Sequence, residues 1–363
     1  MARMTWGDRL YTGQSGINFV GRARLWFSIS AVLLLISIGA LVFRGLNLGI
    51  EFTGGAVFAV PQATCSVPDA RSATEGVTEG GVIVTETGAG IVRVQTEPLT
   101  PVQTQEVIDV LAQTCNVRAE AITSQVVGPT WGAEITSKGI QALVVFLILV
   151  TLFLSIYFEW RFAVAALAAL AHDIIITVGI YALTGLPVTP ATLIGFLTIL
   201  GYSLYDTVVV FDKIREDTKG ITGQSVLSYA EVANRSVNQV LVRSINTSIT
   251  SLLPVLAIII VGAGLLGAGT LLDLAVALAV GMFIGVYSSL FVATPLAVIL
   301  KSRQEDIRAL DRRVSSRRAG QARRGDDDTA AGETASVAAA APGSAAGTRA
   351  QPKRQPRSKR GKK

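Results

Sequence analysis

The sequence predicts an α-helical membrane protein with six transmembrane helices and one external ferredoxin-like α/β domain between spans one and two. Three observations lead there. Half of the 363 residues are hydrophobic and only 16% are charged, against roughly a quarter in soluble domains. Six apolar runs reach about the 18 residues that a membrane crossing requires. One long polar stretch, residues 44–138, separates the first run from the second.

Residues 1–24 form a short basic segment. The first span, 25–43, reads "LWFSISAVLLLISIGALVF". Its apolar core is longer than the roughly 7–15 residues of a cleaved signal, and no A-x-A site follows, so it is expected to remain as an anchor.

The 44–138 segment carries the pattern of a folded domain. "GGAVFAVP" reads as a strand, and Val67–Gly76 as a short helix opened by Pro68 and Asp69. "GVIVTET" and "GIVRVQTE" alternate at period two around "GAG", which predicts a hairpin. "TPVQTQEVIDVLAQT" begins with Thr100 as N-cap, Pro101 at the first helical position and Gln103 three residues after the cap. Val107, Val110 and Leu111 give that helix an apolar face. "VRAEAITSQVV" closes the domain as a strand. The order βαββαβ is that of a split sandwich. The only two cysteines, Cys65 and Cys115, fall near the end of strand one and the start of strand four. They either pack as two buried thiols or join as a disulfide in an oxidising exterior.

Residues 139–300 hold spans two to six. "GIQALVVFLILVTLFLSIYF" is the second, and the next two cover about 162–186 and 187–211. The fifth runs from about Asn238 to Gly262, and the sixth is Leu274 to Leu300. "GMFIG" places Gly281 and Gly285 on one face of span six as a helix contact. Pro254 interrupts span five, as a hinge or as a static kink. The tail, 301–363, ends in "PKRQPRSKRGKK" and is expected to be a disordered, basic cytoplasmic segment, either solvated or drawn to anionic lipid.

Orientation follows from Lys and Arg. Arg3, Arg9, Arg22 and Arg24 precede span one, and the tail holds 17 basic residues against seven acids, while 44–138 holds ten acids against five bases. Both termini are therefore expected inside and the domain outside.

Each ionisable residue at depth costs about 2.5–3.5 kcal/mol on insertion scales, so each needs a reason. His172 and Asp173 fall midway through span three. Asp206 lies near 7 Å from the inner end of span four at about 1.5 Å per residue. Arg243 lies at a similar depth in span five, which predicts an Asp206–Arg243 pair. Such a pair is either fixed glue between two helices or a site whose protonation can be switched. Asp273 is expected to be interfacial and solvated, and Asp212 to pair with Lys213 or Arg215.

"GLNLGIEFTGG" after span one, "FEWRFAVAALAALAHDIIIT" through span three and "GYSLYDTVVVFDKIRE" in span four resemble the SecF family of protein-export membrane proteins, over about residues 15–302. That family belongs to the resistance–nodulation–division superfamily. The resemblance implies a partner, SecD, whose own six spans complete a twelve-span unit. It also implies work beside the SecYEG channel and the SecA motor, using the proton-motive force to promote preprotein translocation across the cytoplasmic membrane. By resemblance, Asp206 and Arg243 take part in proton coupling, His172 and Asp173 form the "AHD" pair, and Gly54 and Gly55 form a structural turn. Glu51 stands where Asp is usual before that turn, and Tyr205 where Asn usually precedes the acid. Two other readings compete: a proton-coupled small-molecule efflux half-transporter of the same superfamily, and a structural assembly subunit. No phosphate loop, metal cluster or nucleophile constellation occurs, so the chain is not expected to be an enzyme. Neither a cofactor nor a nucleic-acid partner is expected.

Overall fold

The computed structural model describes residues 16–61, 63–78, 80–86, 90–261 and 269–338. Among them, six helices are long and apolar enough to cross a membrane. The first is α1 (Ala23–Phe43). After it come the short strand β1 (Asn47–Leu48), the single turn α2 (Ile50–Thr53) and β2 (Gly55–Val60). Helix α3 (Val67–Glu75) leads to β3 (Ile83–Glu86) and β4 (Val92–Thr96), and α4 (Pro101–Thr114) leads to β5 (Thr123–Val127).

The sheet order is β3-β4-β2-β5, with every neighbour antiparallel, which is the ferredoxin-like arrangement read from βαββαβ. Residues 87–89 of the expected hairpin turn lie outside the described residues, but Glu86 opposite Val92 fixes its register. Alternation puts Ala56, Phe58, Val60, Val92 and Val94 on the face covered by α3 and α4, where they meet Ala70, Val107 and Leu111. Phe58 and Leu111 are fully buried, each worth about 1.5–3 kcal/mol relative to exposure. Both helices open with capping boxes, Ser66 with Asp69 and Thr100 with Gln103. The Ser66 hydroxyl and backbone N–H hold the exposed Asp69 carboxyl below the ordinary aspartate range. A disulfide joins Cys65 to Cys115, where the chain enters α3 and leaves α4.

Gly54 and Gly55 both have positive φ, 76° and 136°. A Cβ on Gly55 would lie 2.3 Å from the Thr96 carbonyl oxygen, so the turn requires glycine there. That turn sets α2 between the domain and the spans. A Cβ on Gly132 would come within 2.4 Å of the Phe52 carbonyl oxygen, so α2 packs tightly against the start of the second span.

The second span, α5 (Pro129–Tyr157), starts ten residues before the expected Gly139, so the helix rises out of the domain rather than from a linker. Helices α6 (Trp160–Thr184) and α7 (Pro190–Asp217) are joined through β6 (Pro187–Val188), which pairs in parallel with β1. Helix α8 (Tyr229–Val261) continues through Pro254 without interruption. The last span is α9 (Gly269–Ser288), a π-helical turn over Ser289–Ala293, and α10 (Thr294–Ser302). Gly281 and Gly285 bring α9 against α7: added Cβ atoms would meet Ile199 at 2.2 Å and Ser203 at 3.0 Å.

The tail departs from expectation. Helix α11 (Glu305–Ala338) occupies much of a segment expected to lack regular structure, and residues 339–363 lie outside the described residues. "EDIRALDRRVSSRRAGQARR" is rich in Arg and holds three Ala, both strong helix formers. Ile307 and Leu310, three apart, supply an apolar face that is buried. The chain divides into two compact units at Asp311.

Candidate functional site

Two acids of the spans, Asp173 and Asp206, and the histidine His172 gather around α6, α7 and the π-helical turn. Asp173, on α6, is 1% exposed. It accepts hydrogen bonds from Ser203 on α7 at 2.6 Å and from Ser288 at the end of α9 at 2.7 Å. His172 Nδ1 lies 3.1 Å from its other oxygen, Oδ1. The His172 ring stacks near Tyr287, with centroids 6.1 Å apart, and its Nε2 is buried without a partner.

Asp206, one turn after Ser203 on α7, is also buried. It accepts from Ser244 of α8 on Oδ1 and from Ser289 on Oδ2. Consecutive serines of the last span, Ser288 and Ser289, thus reach two different carboxylates. The π-helical turn beginning at Ser289 sits at this junction, and such insertions occur often at functional positions. The glycine contact serves the same place, because Gly285 lets α9 approach Ser203 itself.

The expected Asp206–Arg243 pair is not formed. Arg243 is exposed and makes no ion pair among the described residues. The depth estimate was sound, since Asp206 meets Ser244, the next residue. Consecutive helix positions point about 100° apart, so Ser244 turns inward and Arg243 turns away. Asp212 is exposed, and its contact is the Tyr157 hydroxyl at 3.5 Å rather than Lys213, which pairs with Glu216 and Asp217. Asp273 is not solvated either: its side chain is 13% exposed and lies 3.7 Å from Arg93 of β4.

Sequence reasoning missed the serines. One signal was available: Ser203 is one helical turn from Asp206, and "YSS" follows the glycine pair by one residue. Hydroxyls at helical spacing from a membrane acid are its natural donors where water is absent.

The comparisons with known proteins agree with this architecture. Residues 106–303 match the family model described as protein export membrane protein SecD/SecF, C-terminal, and residues 39–61 match the SecD/SecF GG motif. The chain is 45% identical to the protein translocase subunit SecF of Streptomyces coelicolor, covering 98% of this chain and 95% of that one. It is 42% identical to the SecF of Mycobacterium tuberculosis, over 88% and 75% of the two chains. The crystal structure of SecDF from Thermus thermophilus, a translocon-associated membrane protein, superposes with a TM-score of 0.71 at 33% identity. That match covers 83% of this chain and 40% of the longer one.

Proposed function

The chain belongs to the SecD/SecF family of protein-export membrane proteins, and from that premise we propose that it works with SecD to turn the proton-motive force into preprotein movement through the Sec channel. Its termini lie inside and its α/β domain outside the cytoplasmic membrane, as the Lys/Arg bias indicates. It is not itself an enzyme: ATP hydrolysis belongs to the SecA motor, and this chain contributes ion-coupled movement.

One observation carries the reading. Two carboxylates, Asp173 and Asp206, are buried in the spans and held by hydroxyl donors, with His172 Nδ1 beside Asp173 and no lysine or arginine on either among the described residues. An uncompensated buried carboxylate is costly when ionised, so a proton is the natural counterion. A serine hydroxyl can donate or accept. When a carboxylate takes up a proton it becomes a donor, and its serines must turn. Because Ser288 and Ser289 are adjacent, a change at one acid is felt at the other through the same turn of the last span. Protonation then favours one packing of that span over another, and any packing change in turn alters proton affinity. Helices α7 and α9 both run to the end of the bundle nearest the domain, which gives the movement a route outward.

The same physics supports a partner. Arg243, Asn246 and Thr250 share the exposed face of α8, and a charged or amide side chain facing lipid is expensive. SecD is the partner that this face would meet.

The test is preprotein translocation into inverted vesicles, with and without a proton gradient, at matched subunit levels. Asp206→Asn is expected to abolish gradient stimulation while the protein remains inserted and bound to SecD, and Asp206→Glu to retain part of it. Equal stimulation in wild type and Asp206→Asn would reduce the acid to helix glue.

A further inference from the structure

At the end of the spans away from the α/β domain, several helix ends converge on one cavity. Its wall is built by the turn between α5 and α6, the end of α7, the start of α8, the end of α10 and the start of α11. All of these residues belong to one compact unit of the chain. The cavity holds about 280 Å³, near the lower end of the ~300–1,000 Å³ typical of small-ligand sites. Glu159 in its wall stands between Tyr157 and Trp160, which are 43% and 62% exposed. Exposed rings at the end of a span mark the headgroup level of a membrane.

Some polar groups of the wall are already paired. Lys301 bonds the Glu159 carboxylate, and Arg215 gives one N–H to the Tyr157 carbonyl at 3.0 Å. Others are not. Tyr229 is 1% exposed, and its hydroxyl has no hydrogen-bond partner. Neighbouring Thr218 gives its own proton to the Ile214 carbonyl. Gln304 Oε1 is buried and likewise unpaired. Lys219 and Asp306 are exposed, and neither side chain makes an ion pair among the described residues.

The unused groups sort by position. Donors come from the end of α7 and the start of α8: the Lys219 ammonium, the free N–H groups of Arg215 and the Tyr229 hydroxyl. Acceptors come from the start of α11: the Gln304 oxygen and the Asp306 carboxylate. A buried donor and a buried acceptor left without partners are both unfavourable. A simple anion would satisfy only the first set, and a simple cation only the second.

We infer that this cavity binds the phosphoethanolamine headgroup of a membrane phospholipid. The phosphodiester accepts charge-assisted hydrogen bonds from Tyr229, Lys219 and Arg215, and the primary ammonium donates to Gln304 Oε1 and Asp306. The Tyr157 ring beneath Arg215 stacks on exposed Phe153, which gives the acyl chains an apolar path along α5. A lipid seated there ties together the ends of α7, α8 and the last span, the three elements that carry Asp206, Ser244 and Ser289. The inference needs only that the spans cross a membrane, and it stands apart from the proton-coupled reading.

The test is lipid retention by the full chain in mild detergent, read by native mass spectrometry as phosphatidylethanolamine, phosphatidylglycerol or phosphatidylcholine is added. Wild type is expected to hold phosphatidylethanolamine about ten-fold more tightly than phosphatidylcholine, whose quaternary ammonium donates no hydrogen bond. Tyr229→Phe deletes a hydroxyl that bonds nothing in the protein, so folding is spared. It is expected to weaken phosphatidylethanolamine binding about ten-fold, the weight of one hydrogen bond to a charged group. Lys219→Gln should weaken it as well, whereas Lys213→Gln, whose ammonium is taken by Glu216 and Asp217, should not. Asp306→Asn is expected to erase the preference over phosphatidylglycerol. Equal retention of the three lipids by wild type, or unaltered affinity in Tyr229→Phe, overturns the proposal. So does equal displacement by water-soluble glycerophosphoethanolamine at the same concentration, which makes the cavity a site for a solute rather than for a lipid.

Discussion

Ser289 is the residue on which the bundle site turns. It is fully buried, donates to Asp206, and stands next to the serine that serves Asp173. Replacing it with alanine leaves Ser244 as the only donor to Asp206 among the described residues and removes one partner from a buried charge. The loss is about 1–2 kcal/mol for the ionised state, or roughly five- to thirty-fold in the balance between states. Gradient-stimulated translocation by Ser289→Ala is therefore expected to fall by about that factor with insertion unchanged, and Ser289→Thr, which keeps the hydroxyl, to restore most of it. Vesicle translocation at matched subunit levels measures both. Unaltered stimulation in Ser289→Ala would mean that the hydroxyl merely fills space. Arg243 teaches the complementary lesson: an arginine one residue from a functional serine faces away from the acid it was expected to meet.

At the scale of elements, what was legible in the sequence follows from which physical signal each element emits. The strands and helices of the α/β domain alternate between a core and water, so period two, period 3.6 and the capping-box start at Thr100 disclosed their order and pairing. The spans disclosed their number by length, and linear counting disclosed the depth of Asp206. Their facing did not show, because lipid and protein interior are both apolar and α8 carries polar residues on its buried and exposed sides alike. The Arg93–Asp273 pair was invisible for another reason: it joins residues from two distant stretches. The tail helix was missed because charge and alanine were weighed as disorder, although the same residues favour helix. The Cys65–Cys115 link illustrates a domain-level consequence. It closes a loop of 50 residues that contains the α3–β3–β4–α4 stretch, and removing such a crosslink costs about 2–4 kcal/mol. Cys65→Ser with Cys115→Ser is expected to lower the domain's unfolding midpoint in denaturant, read by protection of domain amides from hydrogen exchange, while the amides of α6 keep their protection. Full thiol labelling of denatured, unreduced wild type would show that no bridge forms in cells.

At the scale of the whole molecule, the spans expose one polar flank, on α8. Exposed apolar side chains say little in a membrane, since lipid covers them as well as protein does. Exposed polar ones say more. Arg243, Asn246 and Thr250 lie on one side of α8. Thr250 returns its hydroxyl to the Asn246 carbonyl, but Asn246 has no side-chain hydrogen bond among the described residues. An arginine left toward lipid costs about 2.5–3.5 kcal/mol on insertion scales, more than a typical surface mutation changes stability. The matching region of the Thermus thermophilus SecDF is 40% of a longer chain. A photo-crosslinking residue placed at Asn246 in native membranes is accordingly expected to capture SecD. The same residue at Leu149 of α5, which is 61% exposed on an apolar surface, is expected to capture lipid. Arg243→Ala should then weaken co-purification of SecD with this chain, while Arg243→Lys, keeping the charge, weakens it less. Lipid adducts alone at Asn246 would place the partner on another face and leave Arg243 to reach the headgroups along its own helix.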